Sequence, residues 1–179
     1  MRLLPFLLFA AAVLALPASA AEINPKTLVL QQADVPFGFR FDLQASGVRT
    51  NASESRRSGE LRALLARSGR VTGYEAEFDG RDATIRSRTD LFRRPEGARM
   101  MLIWVDKQAR LSGLKGLKRA RVGVGAESWI YWQASASGSA VAIWRYGAAF
   151  AGVQGLGLSK AGVLALARKQ QRRVAAALR

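Results

Sequence analysis

The chain has 179 residues, with 28 Lys and Arg against 13 Asp and Glu, and it contains neither histidine nor cysteine. Those absences remove Ser-His-Asp triads, thiol nucleophiles, disulfides and the usual zinc sites. Almost all common catalytic routes are therefore closed, and the fold must be held by apolar burial. No cofactor is expected, and no metal site or catalytic residue is assigned.

Residues 1 to 20 read as a cleavable leader for export. Arg2 supplies a positive start, Leu3 to Leu16 form an apolar run broken by Pro5, and Ala18-x-Ala20 is a small-residue cleavage site. The run is shorter than the roughly 20 residues of a membrane-spanning helix, so a mature chain starting at Ala21, without a transmembrane segment, is expected in a periplasm or outside the cell. Residues 21–179 suit one domain. Loss of the leader leaves 27 basic residues against 13 acidic, a net charge of +14. From residue 107 onward 13 basic residues face one acid, Glu127. Such a field attracts an anionic envelope polymer or lipid surface, although a general arginine bias in composition would produce the same excess.

In chain order, Phe39, Phe41 and Leu43 alternate with polar residues as in a half-buried strand. The Ser-, Asn- and Arg-rich stretch 45–58 reads as a loop. Ser58 is placed to cap a short helix with Leu61, Leu64 and Leu65 on one face and Gly69 at its end. A hairpin follows, with Tyr74, Ala76 and Phe78 on one arm, Ile85, Ser87, Thr89 and Leu91 on the other, and Asp79-Gly80 as the turn. Counting back from that turn pairs Ala76 with Ile85 and Glu75 with Arg86. Glu75 and Glu77 are the carboxylates that a glycan hydrolase would need as acid and base, but arginines at 86 and 88 make them an ion-paired surface instead.

Pro95 opens a helix whose apolar residues recur to Leu111. The basic, glycine-punctuated stretch 112–125 reads as an exposed loop, and Lys115, Lys118, Arg119 and Arg121 are its candidate anion-binding residues. It has no interleaved aromatics for base stacking, so polyanion attraction here would not read nucleic-acid sequence. Strands 128–133, 140–146 and 149–156 form a meander around the small-residue loop 134–139. Trp129, Tyr131 and Trp144 are expected on one face, and Ile130, Trp132, Val141 and Ile143 on the other. Apolarity on both faces requires cover on both sides and leaves room for a pocket, with Trp129, Trp132, Trp144 and Arg145 as candidate lining. Gly155-x-Gly157 leads into a last helix capped by Ser159. It lacks the third glycine and following strand of a dinucleotide site. The helix's apolar stripe, rich in alanine and interrupted by Gln170, suits packing on a sheet better than a membrane face.

The segments Ala33-Asp34-Val35-Pro36-Phe37-Gly38-Phe39, Gly69 to Phe78, Phe92 to Ala98, Val124-Gly125-Ala126-Glu127-Ser128 and Trp144-Arg145-Tyr146-Gly147 together resemble exported bacterial domains. Their layout is similar to the Mog1/PsbP-like fold and to extracytoplasmic sensor-type domains of actinobacterial lipoproteins and kinases. The chain departs from those families in having no lipid-attachment or stapling cysteine, and in Ala126 and Ala148 where an acid and an asparagine are more usual. The resemblance implies a binding or accessory role and brings no catalytic residues.

The expectation is a two-layer α+β domain, a mostly antiparallel sheet of about five or six strands with helices 95–111 and 160–178 packed on it. Functionally it is an exported, non-enzymatic binding or sensor-type module. A carboxylate-dependent hydrolase of envelope glycan and a structural or assembly factor are the alternatives.

Overall fold

The computed structural model describes residues 23–56, 58–133 and 138–179. The expected leader, its cleavage site and most of the small-residue loop at 134–139 lie outside them. Eleven elements follow two 3-10 turns, Pro25–Thr27 and Gln32–Asp34. They are β1 (Arg40–Val48), α1 (Asn51–Ser55), α2 (Gly59–Ser68), β2 (Arg70–Asp79), β3 (Thr84–Phe92), α3 (Pro95–Leu111), β4 (Leu117–Arg121), β5 (Glu127–Gln133), β6 (Ser139–Tyr146), β7 (Ala149–Leu156) and α4 (Lys160–Ala177). The strands make one seven-stranded sheet in the order β1-β2-β3-β7-β6-β5-β4, antiparallel at every junction. The α+β class is as the sequence indicates.

Local chemistry sets the helix ends. Leu61 N donates to Ser58 Oγ at 3.0 Å and Gly162 N donates to Ser159 Oγ at 3.1 Å, so both serines cap as expected. Gly69 closes α2 at φ +65°, a left-handed conformation that a side chain would strain.

Two segments expected as loops are ordered. β1 continues through an irregularity between Asp42 and Gly47 to Val48, and Thr50 then caps α1 by accepting from Ser53 N. Within 112–125, residues 117–121 form edge strand β4 against β5. Its alternation is carried by long cations, which mask the period-two pattern and also protect a sheet edge.

Two strand registers also differ from expectation. Phe78 pairs with Ile85, Ala76 with Ser87, Glu75 with Arg88 and Glu77 with Arg86. Asp79 remains in β2 opposite Thr84, and the turn is four residues long, closed by Gly80 N donating to Ala83 O at 2.8 Å. A two-residue shift keeps the faces. At β5–β6 the connection is one residue shorter than expected, because Ser139 already pairs with Gln133. One residue reverses a strand's faces. Trp144 consequently lies with Ile130 and Trp132, whereas Ile143 and Val141 lie with Trp129 and Tyr131.

The sheet is covered on both sides, giving three layers rather than two. On one face Phe78, Ile85, Ile130, Trp144 and Val153 pack with α4 residues Val163, Leu166, Ala167 and Val174 and with Leu28 to Leu30. On the other, Phe92, Tyr131, Ile143 and Phe150 pack with Leu61, Leu64 and Leu65 of α2 and Ala98, Met101 and Leu102 of α3. Gln170, the polar break in the α4 stripe, is fully buried. Its Oε1 accepts from Ser87 Oγ at 2.8 Å, and its Nε2 donates to Arg88 O and Thr89 Oγ1 at 2.9 Å each. Ser87 Oγ also accepts from Leu30 N at 2.9 Å, tying the N-terminal segment and α4 to β3.

Candidate functional site

On the α3 side of the sheet lies an open cleft of about 500 Å³, within the size range of small-molecule sites. Alternation along three adjacent strands builds its floor. Arg86, Arg88 and Asp90 of β3 stand opposite Gln154, Gly152 and Phe150 of β7, which in turn lie beside Val141 and Ile143 of β6. Gly152 leaves the middle of the floor without a side chain. Met101, Trp104, Val105 and Gln108, at helical spacing on α3, form the wall. Leu61 and Glu60 of α2 and Glu54 of α1 close one end. Trp104 Nε1 donates to Glu60 Oε1 at 3.0 Å and links the wall to α2.

The polar end rests on buried charge. Arg70 and Asp90 have fully buried side chains and form an ion pair. Arg70 also donates to Asn51 Oδ1 at 2.8 Å and to Arg49 O at 2.7 Å. Arg88 Nε donates to Asp90 Oδ2 at 2.9 Å and Arg88 Nη2 to Glu54 Oε2 at 3.0 Å. Burial works against the Arg88 charge, but the charges of Asp90 and Glu54, with their hydrogen bonds, outweigh it and raise its pKa above the ordinary arginine value. Arg49 pairs with Glu75 at 2.8 Å. Arg86 pairs with Glu77 at 2.6 Å, and this hydrogen bond is the largest factor raising the Arg86 pKa. Glu75 and Glu77 thus both face arginines.

The residues singled out from sequence lie elsewhere. Lys115 is exposed in the connection before β4. Lys118 stands opposite Trp132, whereas Arg119 and Arg121 lie on the other sheet face with Trp129, so the four cations do not converge. Arg119 donates to Asp106 Oδ1 at 2.8 Å, and its guanidinium carbon lies 3.2 Å from the Trp129 ring centroid. Arg121 lies 4.9 Å from the same ring. Tyr131 OH also donates to Asp106. Desolvation, then that hydrogen bond, push the phenol up to about 12.

Trp129, Trp132, Trp144 and Arg145 are likewise divided. Trp144 is fully buried on the α4 side. Trp132, on the same face, has Lys160 Nζ 3.7 Å from its ring centroid. Arg145 donates to Glu127 Oε1 at 2.6 Å, and Arg99 lies 3.3 Å from the same oxygen. The Arg145 hydrogen bond is the largest factor, and with the charges of both arginines it overcomes desolvation to hold the Glu127 carboxyl below its usual range. None of these four lines the cleft. Sequence reasoning missed the cleft itself. Gly152 inside an apolar strand, and charges at 88 and 90 on the β3 face that carries no apolar residue until Phe92, were its available signals.

No protein-family model matches the chain, and no curated protein matches it. Among solved structures, the extracellular domain of PknH from Mycobacterium tuberculosis matches with a TM-score of 0.53 and 13% sequence identity, over 90% of this chain and 98% of that one. The two share a fold. The match agrees, at the level of fold, with the likeness to extracytoplasmic domains read from sequence, and it does not support the Mog1/PsbP-like layout. No helix among the described residues is long and apolar enough to cross a membrane.

The ion cluster yields a direct test. Arg88→Met removes the cation between Asp90 and Glu54, and should lower unfolding free energy by at least about 2 kcal/mol in urea denaturation. Arg81→Met, at an exposed turn position, should change it by less than about 0.5 kcal/mol.

Proposed function

We propose that residues 21–179 are an exported, non-enzymatic ligand-binding module of the sensor-domain kind, acting in the periplasm or outside the cell after loss of residues 1–20. The observation that carries this reading is the cleft, whose floor is apolar at Phe150, Val141 and Ile143 and charged along β3, and whose walls come from both α2 and α3. The shared fold with an extracellular domain supports it. A binding role rather than hydrolysis is supported by the sequence, which has no histidine or cysteine, and by the ion pairs that occupy Glu75 and Glu77.

The neutral dye N-phenyl-1-naphthylamine should bind the mature protein saturably, one to one, with enhanced fluorescence. Gly152→Leu fills the floor and should weaken the dye at least about tenfold, or 1.4 kcal/mol, while leaving the unfolding midpoint near that of the wild type. Dye binding that ignores Gly152→Leu would place ligands elsewhere, and absence of any binding would count against the module reading.

A second component is attraction to an anionic envelope polymer or lipid surface. Lys115, Lys118, Arg168 and Arg172 are exposed, and none of their side chains enters an ion pair among the described residues. Retention of the mature protein on an anionic polymer should fall with salt and weaken when these four are changed to Gln. Retention indifferent to salt or to the substitutions would remove this component.

A further inference from the structure

We infer that the cleft is built for a small uncharged ligand, with an apolar body and an amide, hydroxyl or carbonyl group oriented by the carboxamides of Gln108 and Gln154. This rests on the reading of the cleft as the ligand site and narrows its ligand class. Two independent observations point the same way.

The first is that every cation lining the cleft is already paired, and of the cleft carboxylates Glu60 alone has no ion pair among the described residues. Arg88 is shared between Asp90 and Glu54, Arg86 is held by Glu77, and Glu75 is held by Arg49. A ligand carboxylate would shed water on entering and then have to displace one of these pairs to find a counter-charge, and an ammonium would shed water to meet only Glu60, whose carboxylate is exposed and already accepts from Trp104 Nε1. An uncharged head avoids the desolvation cost of either ion and displaces no pair.

The second is that two amides line the cleft with nothing to bond to. Gln108 sits on the α3 wall, one heptad after Met101, and Gln154 sits on the floor between Arg86 and Val141 in register. Both are half-buried. Neither side chain forms a hydrogen bond among the described residues, unlike Gln170 or Gln31, whose amides are engaged. Each carboxamide offers two N–H donors and a carbonyl acceptor without net charge. Such groups, on opposite elements of the cleft, satisfy a neutral hydrogen-bonding ligand and exchange bound water for it.

Calorimetric titration at neutral pH and physiological ionic strength, with octanamide, octanoate and octylammonium as probes of equal chain length, tests the assignment. Octanamide should bind at least about tenfold more tightly than either charged probe. Any apolar cavity favours an uncharged chain, so the decisive arm is Gln108→Leu with Gln154→Leu. Loss of two hydrogen bonds should weaken octanamide by about tenfold or more, while the naphthylamine dye is still bound. Octanamide affinity unchanged or improved in the leucine variant overturns the assignment, as does equal binding of octanoate or octylammonium. Dye binding without octanamide binding overturns this inference alone. Failure of both the dye and all three chains removes the cleft reading and this inference with it.

Discussion

The ion pair between Arg70 and Asp90 is the constraint on which the site depends. Both side chains are withdrawn from water, and the carboxylate is divided between Arg70 on β2 and Arg88 on its own strand. Such a pair contributes little net stability compared with well-packed apolar residues, yet removing one partner alone is severe. Its effect here is geometric. Arg70 holds Asn51 and the Arg49 carbonyl, which fixes the chain entering α1, and Arg88 holds Glu54 of that helix. The polar end of the cleft is set by these contacts. Gly73, opposite Asp90 in register, is part of the same arrangement, because a Cβ there would overlap Asp90 Oδ1 and come within 2.5 Å of Arg70 Nη2.

A second polar anchor acts on the other face of the same strand. Ser87 and Thr89 point toward α4, where Gln170 bonds both, and β3 therefore carries charge-based ties on one side and neutral ones on the other. Buried polar groups must be satisfied to be tolerated, and these are satisfied by groups far apart in sequence. The result specifies where α1, α4 and the N-terminal segment sit on a sheet whose apolar faces would accept several placements. On the opposite face α3 packs with Tyr131, Ile143 and Phe150, and the cleft lies between that helix and the β3–β7 floor.

Much of this architecture is legible in the residues. α3 and β7 start and stop where Pro95, the 3.6-residue apolar spacing and the Gly147-Ala148 turn put them, and Ser58 and Ser159 cap the helices that their positions indicate. The missed elements have physical causes. β4 consists of cations and one alanine around Leu117, so its alternation is invisible to a hydropathy pattern, and the five-residue α1 is too short to show a helical period. The face error in β6 came from one residue of loop length. The candidate basic cluster was legible as composition, but strand alternation sends Lys118 to one side of the sheet and Arg119 with Arg121 to the other. The cleft draws its residues from seven elements, and a charge such as Asp90 looks like surface until tertiary structure buries it.

The most direct test of this account is a double-mutant cycle at the buried pair, with urea unfolding and cleft occupancy measured on the same proteins. Arg70→Met and Asp90→Leu singly should each cost about 3–5 kcal/mol, and the double variant should regain much of that loss while failing to bind the dye, because the polar end is no longer positioned. Single variants within about 1 kcal/mol of the wild type, or a double variant that binds the dye normally, would contradict it.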